Sequence, residues 1–455
     1  IPTFVRTVFG LNNRMNLKNR IIFAFSLLSL LSISSASAGI ALYEKDDFKI
    51  VFGGFVETDI FSDTTRSFTE VVGNGAAARP GTFEGDNNRT QFSLRNSRLF
   101  FDIGLPPEAE WKTRAYFEFD FLGFDPGPSA AALNTESGYS TNPTLRMRHA
   151  YLGASNNGYT VLVGQTWTLF GWVPAYVPTT ASVPPVAGTL YERTPQVTVI
   201  KAIPVGDSDA LQAGISVTRP VQRDSGVPGL DAGLRFAANG RKSGYMSPSG
   251  DRKAEPMSIA LSGTAREIAS PPLGGDQTQL IRQLGSAFAV NGMLPILASA
   301  DGKEIGNTLS LAGEFTRGSG YGDEFNGWSG NLSPTVAAAN TPNLDAGLGG
   351  FDANGTFTLV KLQTWNVQIQ YHLPASMAAF ANIGYGQLKS SNLNTLTPAT
   401  GKVGYDKAEV YFLNLFHDFT SHVRVAMEAD HFVTNYIDGN RAKDNRFQVS
   451  TWVRF

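Results

Sequence analysis

Arginine spacing is the chemical signal in this sequence. Arg146 and Arg148 stand at i and i+2, with no acidic residue from 144 to 191. Residues two apart on an extended chain share a face. Arg98 and Arg114 occupy similar alternating stretches, and Arg193, Arg235 and Arg424 are further candidates. A guanidinium stays charged and grips a carboxylate through a planar two-point fork. A ladder of such groups on one wall would attract anions. The same arginines could instead brace that wall by pairing with Glu118, Asp120, Glu314, Glu428 and Asp430. Both roles are open at this level.

Other chemistries find little support. A hydrolase needs a Ser or Cys beside a His and an orienting group. The five histidines are 149, 372, 417, 422 and 431, there is no cysteine, and none of the five sits in a nucleophile motif. His149 shares strand parity with apolar positions that would face outward. His422 and His431 are nine apart, which is not a metal-ligand spacing. Asp323, Glu324, Asp345 and Asp352 read as solvated charges. The expectation is no enzyme, no cofactor and no metal.

The elements that would position the arginines are strands. In Lys112–Phe121, Thr113, Ala115, Phe117, Phe119 and Phe121 share one face, and Lys112, Arg114, Tyr116, Glu118 and Asp120 the other. At the end of the chain Phe447, Val449, Thr451, Val453 and Phe455 oppose Gln448, Ser450 and Arg454, with Trp452 on the polar side. Similar alternation marks 48–60, 92–105, 144–154, 159–166, 195–203, 210–218, 231–239, 256–267, 285–297, 309–315, 365–373, 377–387, 406–416 and 423–430. That makes about sixteen strands, the even number a bacterial single-chain membrane barrel has. Parity is ambiguous in 92–105 and 406–416, where a bulge would shift it. Connections alternate between long (61–91, 122–143, 167–194, 316–360, 388–405) and short. A turn expected to be short carries an insertion at 240–255. Long loops at one end and short turns at the other fit an all-β, antiparallel transmembrane barrel.

Composition and the N-terminal region agree. Residues 15–38 read as a cleaved secretory signal: Lys18 and Arg20, an apolar run from Ile21 to Leu31, then Ala36-Ser37-Ala38. Residues 1–14 read as an upstream extension, and 39–455 as the barrel domain. Beyond residue 38 there is no apolar stretch of the roughly 20 residues that a spanning helix needs. With Arg6, Arg14, Lys18 and Arg20 set aside, 33 basic and 39 acidic residues remain. No basic tail points to nucleic acid.

Leu145-Arg146-Met147-Arg148-His149-Ala150-Tyr151, then Val163-Gly164-Gln165-Thr166-Trp167, then Arg193-Thr194-Pro195-Gln196 form an ordered set. Ser97-Arg98 and Glu118-Phe119-Asp120-Phe121 precede it, and Gly318-Ser319-Gly320-Tyr321 follows. This order resembles the DcaP-like outer-membrane porins of Gram-negative bacteria, most densely from about 48 to 200. The resemblance implies a sixteen-stranded trimeric channel for small hydrophilic solutes, favouring anions such as dicarboxylates. It also implies outer-membrane lipid as surroundings, and a barrel assembly machinery that reads the terminal Phe455. The first strand follows almost directly on the mature N-terminus, with no heptad segment, and the insertions at 240–255 and 332–356 lack a counterpart.

In such a barrel the loop after the fifth strand folds inward and narrows the lumen. Here it is 167–194, offering Trp167, Trp172, Tyr176 and Tyr191, with no charge from Trp167 to Tyr191. It supplies no acidic ring of the kind a cation channel uses. By parity Arg98, Arg114, Arg146, Arg148, Glu118 and Asp120 would line the pore opposite it, with Arg193, Arg235 and Arg424 as possible additions. A purely structural or adhesive barrel with a plugged lumen is the alternative.

Overall fold

The computed structural model describes residues 39–123, 144–173, 175–183, 186–206, 208–220, 225–250, 253–274, 276, 278–332, 345 and 347–455. The segments expected to be signal and upstream extension (1–38), most of loop 122–143 and most of 332–346 lie outside these residues.

Sixteen antiparallel strands close on themselves. They are β1 Phe48–Asp63, β2 in two pieces (Arg89–Ser93 and Arg98–Gly104), β3 Lys112–Gly123, β4 Thr144–Asn156, β5 Tyr159–Trp167, β6 Arg193–Val205, β7 Asp209–Thr218 and β8 Gly229–Gly244. There follow β9 Ala254–Ser270, β10 Ile281–Leu297, β11 Leu309–Ser319, β12 Lys361–His372, β13 Ala379–Ser390, β14 Tyr405–Asp418, β15 Val423–Tyr436 and β16 Arg441–Arg454. Each pairs with its chain neighbours, and β1 pairs with both β2 and β16, so no edge is left open. Closure satisfies every strand without a water-exposed edge, which a sheet in hydrocarbon must do. An N-terminal arm, Ile40–Lys45, folds back onto the start of β1. Phe455 exchanges two backbone hydrogen bonds with Gly54, both 3.0 Å, and so seals the first strand to the last.

The faces are inverted relative to a soluble protein. Outward positions are apolar and exposed: Ile383, Leu413, Ile369, Leu261 and Val453 are examples. Inward positions are polar and buried: Gln368, Gln370, Asn382, Asn414, Glu428, Gln448 and Ser450. All sixteen segments expected from alternation fall on these strands. Where parity was ambiguous, irregularities account for it: β2 is interrupted at 94–97, and the β14–β15 register shifts between Tyr405 and Lys407.

Much of the apolar core lies inside the barrel, under the long loops. Phe68, Val72, Phe170, Leu190, Tyr321, Phe325, Trp328 and Leu393 from the loops pack on Leu388, Val410, Phe412 and Phe432 of the wall. The loops therefore fill the lumen beside β13–β15. They leave open space nearer β1–β5.

Candidate pore and constriction

The segment between β5 and β6 leaves the wall and crosses the lumen. Gly171 has φ +77°, a left-handed conformation suited to glycine, and its N–H donates to Ser262 Oγ at 2.8 Å. Tyr176 Oη donates to Ser258 Oγ at 3.0 Å. Further along, Thr179 N donates to Gln368 Oε1 at 2.6 Å. On the far wall Glu428 accepts from the N–H groups of Ala181 (2.6 Å) and Ser182 (2.8 Å), and Asp430 accepts from Ser182 Oγ at 2.8 Å. The return path is held by Gly188 N to Asn74 Oδ1 (2.7 Å) and Leu190 N to Glu314 Oε1 (2.8 Å). Glu314 and Glu428, offered by the sequence as braces for arginine, thus anchor loop backbone, and Asp430 anchors the Ser182 hydroxyl. Trp172 is buried against Gly233 of the wall, and Trp167 packs 4.8 Å from Tyr191 between ring centroids.

A second element enters from the opposite end. The turn between β8 and β9 lies inside the barrel as a tongue. Its described residues fall within the insertion noted at 240–255, of which 251 and 252 lie outside the described residues. A register shift between Ala238 and Lys242 lets the hairpin peel away from the wall, and Arg241 covers the abandoned Pro295 carbonyl at 2.8 Å. Gly244 passes so close to His372 that a Cβ would collide with the ring. Gln370 brackets Met246, accepting from its N–H at 2.9 Å. At the tip Arg424 Nη1 donates to the carbonyls of Pro248 (2.6 Å) and Gly250 (3.1 Å), and Arg454 Nη1 donates to Gly250 O at 3.1 Å. Asp418 holds Arg424 at two points, 2.6 and 3.0 Å. Tongue and loop touch: Tyr245 Oη donates to Val177 O at 2.9 Å, and Thr179 Oγ1 to Met246 O. Strand periodicity gives no sign of this element. Its sequence signals are the length of the insertion and the apolar Tyr245-Met246 pair inside a polar turn.

Between these elements and the wall lies a cavity of about 370 Å³. Arg98, Glu118, Arg148, His149, Trp167, Tyr191 and Arg235 line it, as do Glu57, Lys253 and Glu255. Of the expected pore residues, Arg98, Arg148, Arg235, Glu118, Trp167 and Tyr191 therefore meet at one space. Arg146 and Asp120 do not line it and are paired to each other at 2.6 Å. Arg193 stacks on Trp167 at 4.5 Å. Arg114 is further off, near the short-turn end, paired with Asp102 at 2.9 Å. Trp172 and Tyr176 bind the loop to the wall.

Two expectations change. Arg424 is fully buried in the tongue clamp and does not line the passage. His149 faces inward, because a bulge at Arg148 sets His149 opposite Glu118 and Met147 opposite Phe119. The extra residue shifts the strand parity by one. His149 Nδ1 lies 3.1 Å from Thr166 Oγ1, and its ring packs on Trp167.

Nor do Arg146 and Arg148 lack local neutralisation, despite the acid-free stretch from 144 to 191. The acids come from the next strand: Arg148 Nε donates to Glu118 Oε1 at 2.5 Å, and Nη1 to Asp120 Oδ2 at 3.1 Å. Arg98 Nη1 reaches the same Glu118 oxygen at 3.6 Å. Three guanidiniums (Arg98, Arg146, Arg148) thus surround two carboxylates, and Arg193 stands near Arg148 and Tyr191. Tyr191 registers the result. Burial would raise its phenol, but Arg148, Arg193 and Arg98 overcome that and bring it down to about 8. Glu192 next to it goes the other way: burial, with Asp323 nearby, pushes it up to about 7.

No protein-family model and no curated protein matches the sequence. Solved structures do. The barrel is similar to the outer-membrane channel DcaP of Acinetobacter baumannii, with a TM-score of 0.61 at 18% identity, covering 92% of this chain and 100% of that one. It is also similar to an anion-selective porin from Comamonas acidovorans (TM-score 0.53, 11% identity, 90% and 100% covered). For OmpF of Salmonella typhi the TM-score is 0.53 at 14% identity, with 91% and 100% covered. At these identities the likeness is one of fold. A closed sixteen-strand barrel with an apolar outer belt and an inward loop is the architecture of the outer-membrane porins, and this chain has it.

Proposed function

We propose that the protein is an outer-membrane porin, a diffusion channel for small hydrophilic solutes that favours anions such as dicarboxylates. The observation that carries the anion preference is the cluster of Arg98, Arg146 and Arg148 around Glu118 and Asp120, three guanidiniums to two carboxylates, beside a cavity whose wall also carries Lys253, Glu57 and Glu255. Arg235 adds to it: its partners are Tyr176 Oη at 3.2 Å and Gln212 Oε1 at 2.9 Å, both neutral. A positive wall facing an uncharged loop raises the local concentration of anions without a tight site, as conduction requires. Long loops then face outward from the cell and short turns face the periplasm. Single-channel recording in a salt gradient tests the reading. The expected zero-current potential has the sign of anion preference, and a cation-selective pore overturns it.

A plugged structural barrel is the second reading, favoured by the crossing of the lumen by both loop and tongue. Absence of conductance in planar bilayers would establish it. We further propose a homotrimer, to be checked by crosslinking in mild detergent. The Phe455–Gly54 seal supports recognition of the C-terminal strand by the assembly machinery. Deleting Phe455 should lower the yield of heat-modifiable barrel.

A further inference from the structure

Loop and tongue are both anchored on β9–β16, through Ser258, Gln368 and Glu428 for the loop and Gln370, Arg424 and Arg454 for the tongue. A solute leaving the cavity towards the short-turn end therefore has β2–β5 beside it. The inward side chains of that wall are aromatic in succession. Trp167 and Tyr191 line the cavity, 4.8 Å apart between ring centroids. His149 follows at 5.4 Å from Trp167, then Tyr116 at 6.1 Å and Tyr151 at 6.4 Å from His149. Tyr116 and Tyr151 are 5.6 Å apart, and Phe100 lies 5.7 Å from Tyr116. Phe100 is paired with Glu118 across the β2–β3 ladder, and Tyr151 with Tyr116 across β3–β4. Residues directly opposite share a face, so all of these rings point to the lumen. The bulge at Arg148 that turns His149 inward does the same for Tyr151.

Guanidiniums accompany the rings. Arg193 lies 4.5 Å over Trp167 and Arg148 5.8 Å, while Arg114 lies 5.2 Å over Tyr116 and 6.0 Å over Tyr151. The Arg114 side chain is 45% exposed and bound to Asp102 through Nη2, so its other donors can still meet a passing carboxylate. Tyr151 has Gly164 opposite it across the β4–β5 ladder and Gly153 two residues on, positions with no side chain to cover its ring. Bracing the wall does not require rings at this height. On the other side of the barrel the inward positions near the short-turn end are amides: Gln368, Gln370, Asn382 and Asn414. The aromatic column is thus confined to the wall that loop and tongue leave open.

We infer that this column is a track for aromatic carboxylates, whose ring contacts Trp167, Tyr116 and Tyr151 in turn while the carboxylate passes from Arg148 to Arg114. Offset or edge-on contact between rings contributes beyond the area it buries. A guanidinium fork takes a carboxylate at two points. The steps between neighbouring rings are 4.8 to 6.4 Å, so a solute forms the next contact before losing the last. Several weak sites in series are what conduction requires. The inference rests on the channel reading and narrows the class of solute within it.

The test is current block of the full-length barrel in a planar bilayer by benzoate, cyclohexanecarboxylate and benzamide. The first two share a carboxylate and differ in the ring, and benzamide keeps the ring without the charge. The variant Phe100→Leu, Tyr151→Leu removes two rings, alters no charge and leaves Tyr116 on Glu118. A heat-modifiability gel checks its fold, and Tyr151→Leu alone serves if the pair does not fold. In the wild type, benzoate should half-block at a concentration about fivefold below that of either other probe, the order of one good ring contact. The advantage over cyclohexanecarboxylate should shrink to under about twofold in the double variant, and at least halve in Tyr151→Leu alone. Equal block by benzoate and cyclohexanecarboxylate in the wild type, an advantage undiminished in the variants, or benzamide matching benzoate overturns the track. So does a barrel with no conductance. The zero-current potential in a salt gradient, read on the same channels, tests anion preference separately. An anion-selective pore that ignores the ring sinks the track and leaves the channel reading standing.

Discussion

Arg146 and Asp120 face each other across β3 and β4 and are joined at two points. Nε donates to Oδ1 at 2.9 Å and Nη2 to Oδ2 at 2.6 Å. Asp120 Oδ2 also accepts from Arg148, so one buried carboxylate organises two cations of the wall. The pairing fixes both guanidiniums without cancelling the local excess, because Arg98 and Arg193 stand beside them.

The double change Arg146→Gln, Arg148→Gln removes two positive charges and leaves Asp120 and Glu118 exposed to the passage. The zero-current potential should move towards cations at low salt. The shift should fall away at 1 M salt, where the Debye length is roughly 3 Å. Uptake of a dicarboxylate should slow while a neutral sugar is nearly unaffected. Arg148→Gln alone should cost about 3–5 kcal/mol of stability, since it breaks a buried pair on one side. An unchanged anion-to-cation ratio in the double variant would reduce both arginines to wall braces.

Tyr191 gives the pore a pH response. Its phenol ionises near 8 instead of the usual 10, so a negative charge develops beside Arg148 and Arg193 as pH rises through 8. Anion preference should decline between pH 7 and 9, and Tyr191→Phe should lose the step near 8 while keeping any earlier one that Glu192 gives near 7. The folded value lies below the unfolded one. Its stabilising contribution is therefore complete above about 10 and lost as pH falls through about 8. Identical titrations of wild type and Tyr191→Phe would place the response elsewhere.

The tongue should limit conductance. Replacing 245–253 with a two-residue turn removes the chain that crosses from β8 to the Asp418, Arg424 and Arg454 clamp. Single-channel conductance should rise, with the barrel still folded on a heat-modifiability gel. Arg424→Gln should loosen the tip and give noisier, larger openings. No change in conductance on deleting the tongue would mean that the loop after β5 alone sets the narrowest point.

Leu413 lies 5 residues from the short-turn end of β14. At about 3.3 Å per residue on strands tilted about 40°, that is roughly 13 Å, near the middle of an apolar band about 25 Å tall. Leu413→Arg should cost about 2–4 kcal/mol in a bilayer refolding titration. Lys389→Leu, 10 residues from the short-turn end of β13 and so at the far edge of that band, should be far milder. Equal penalties at the two positions would mean the depth scale is wrong.

Alternation every two residues is a local property, so strand number, strand faces and the long-short rhythm of connections were legible in the sequence by itself. Phe117 and Glu118 go to opposite sides for no reason beyond their adjacency on an extended chain. The inward loop was named from family resemblance, and its lack of charge was read directly. Tertiary structure alone decided which charges meet. The acids that hold Arg146 and Arg148 come from β3, and one bulged residue at Arg148 turns His149 from the outer face to the inner one. Arg424 looked like a pore liner by parity, yet it grips a tongue whose tip comes from residues 176 and 174 positions earlier in the chain, Pro248 and Gly250. Glu314 and Glu428 became anchors for loop backbone, and Asp430 for the Ser182 hydroxyl, because N–H groups buried where the loop packs on the wall need acceptors. Such partnerships depend on barrel closure and strand register, which bring remote residues face to face and leave no periodic trace along the chain.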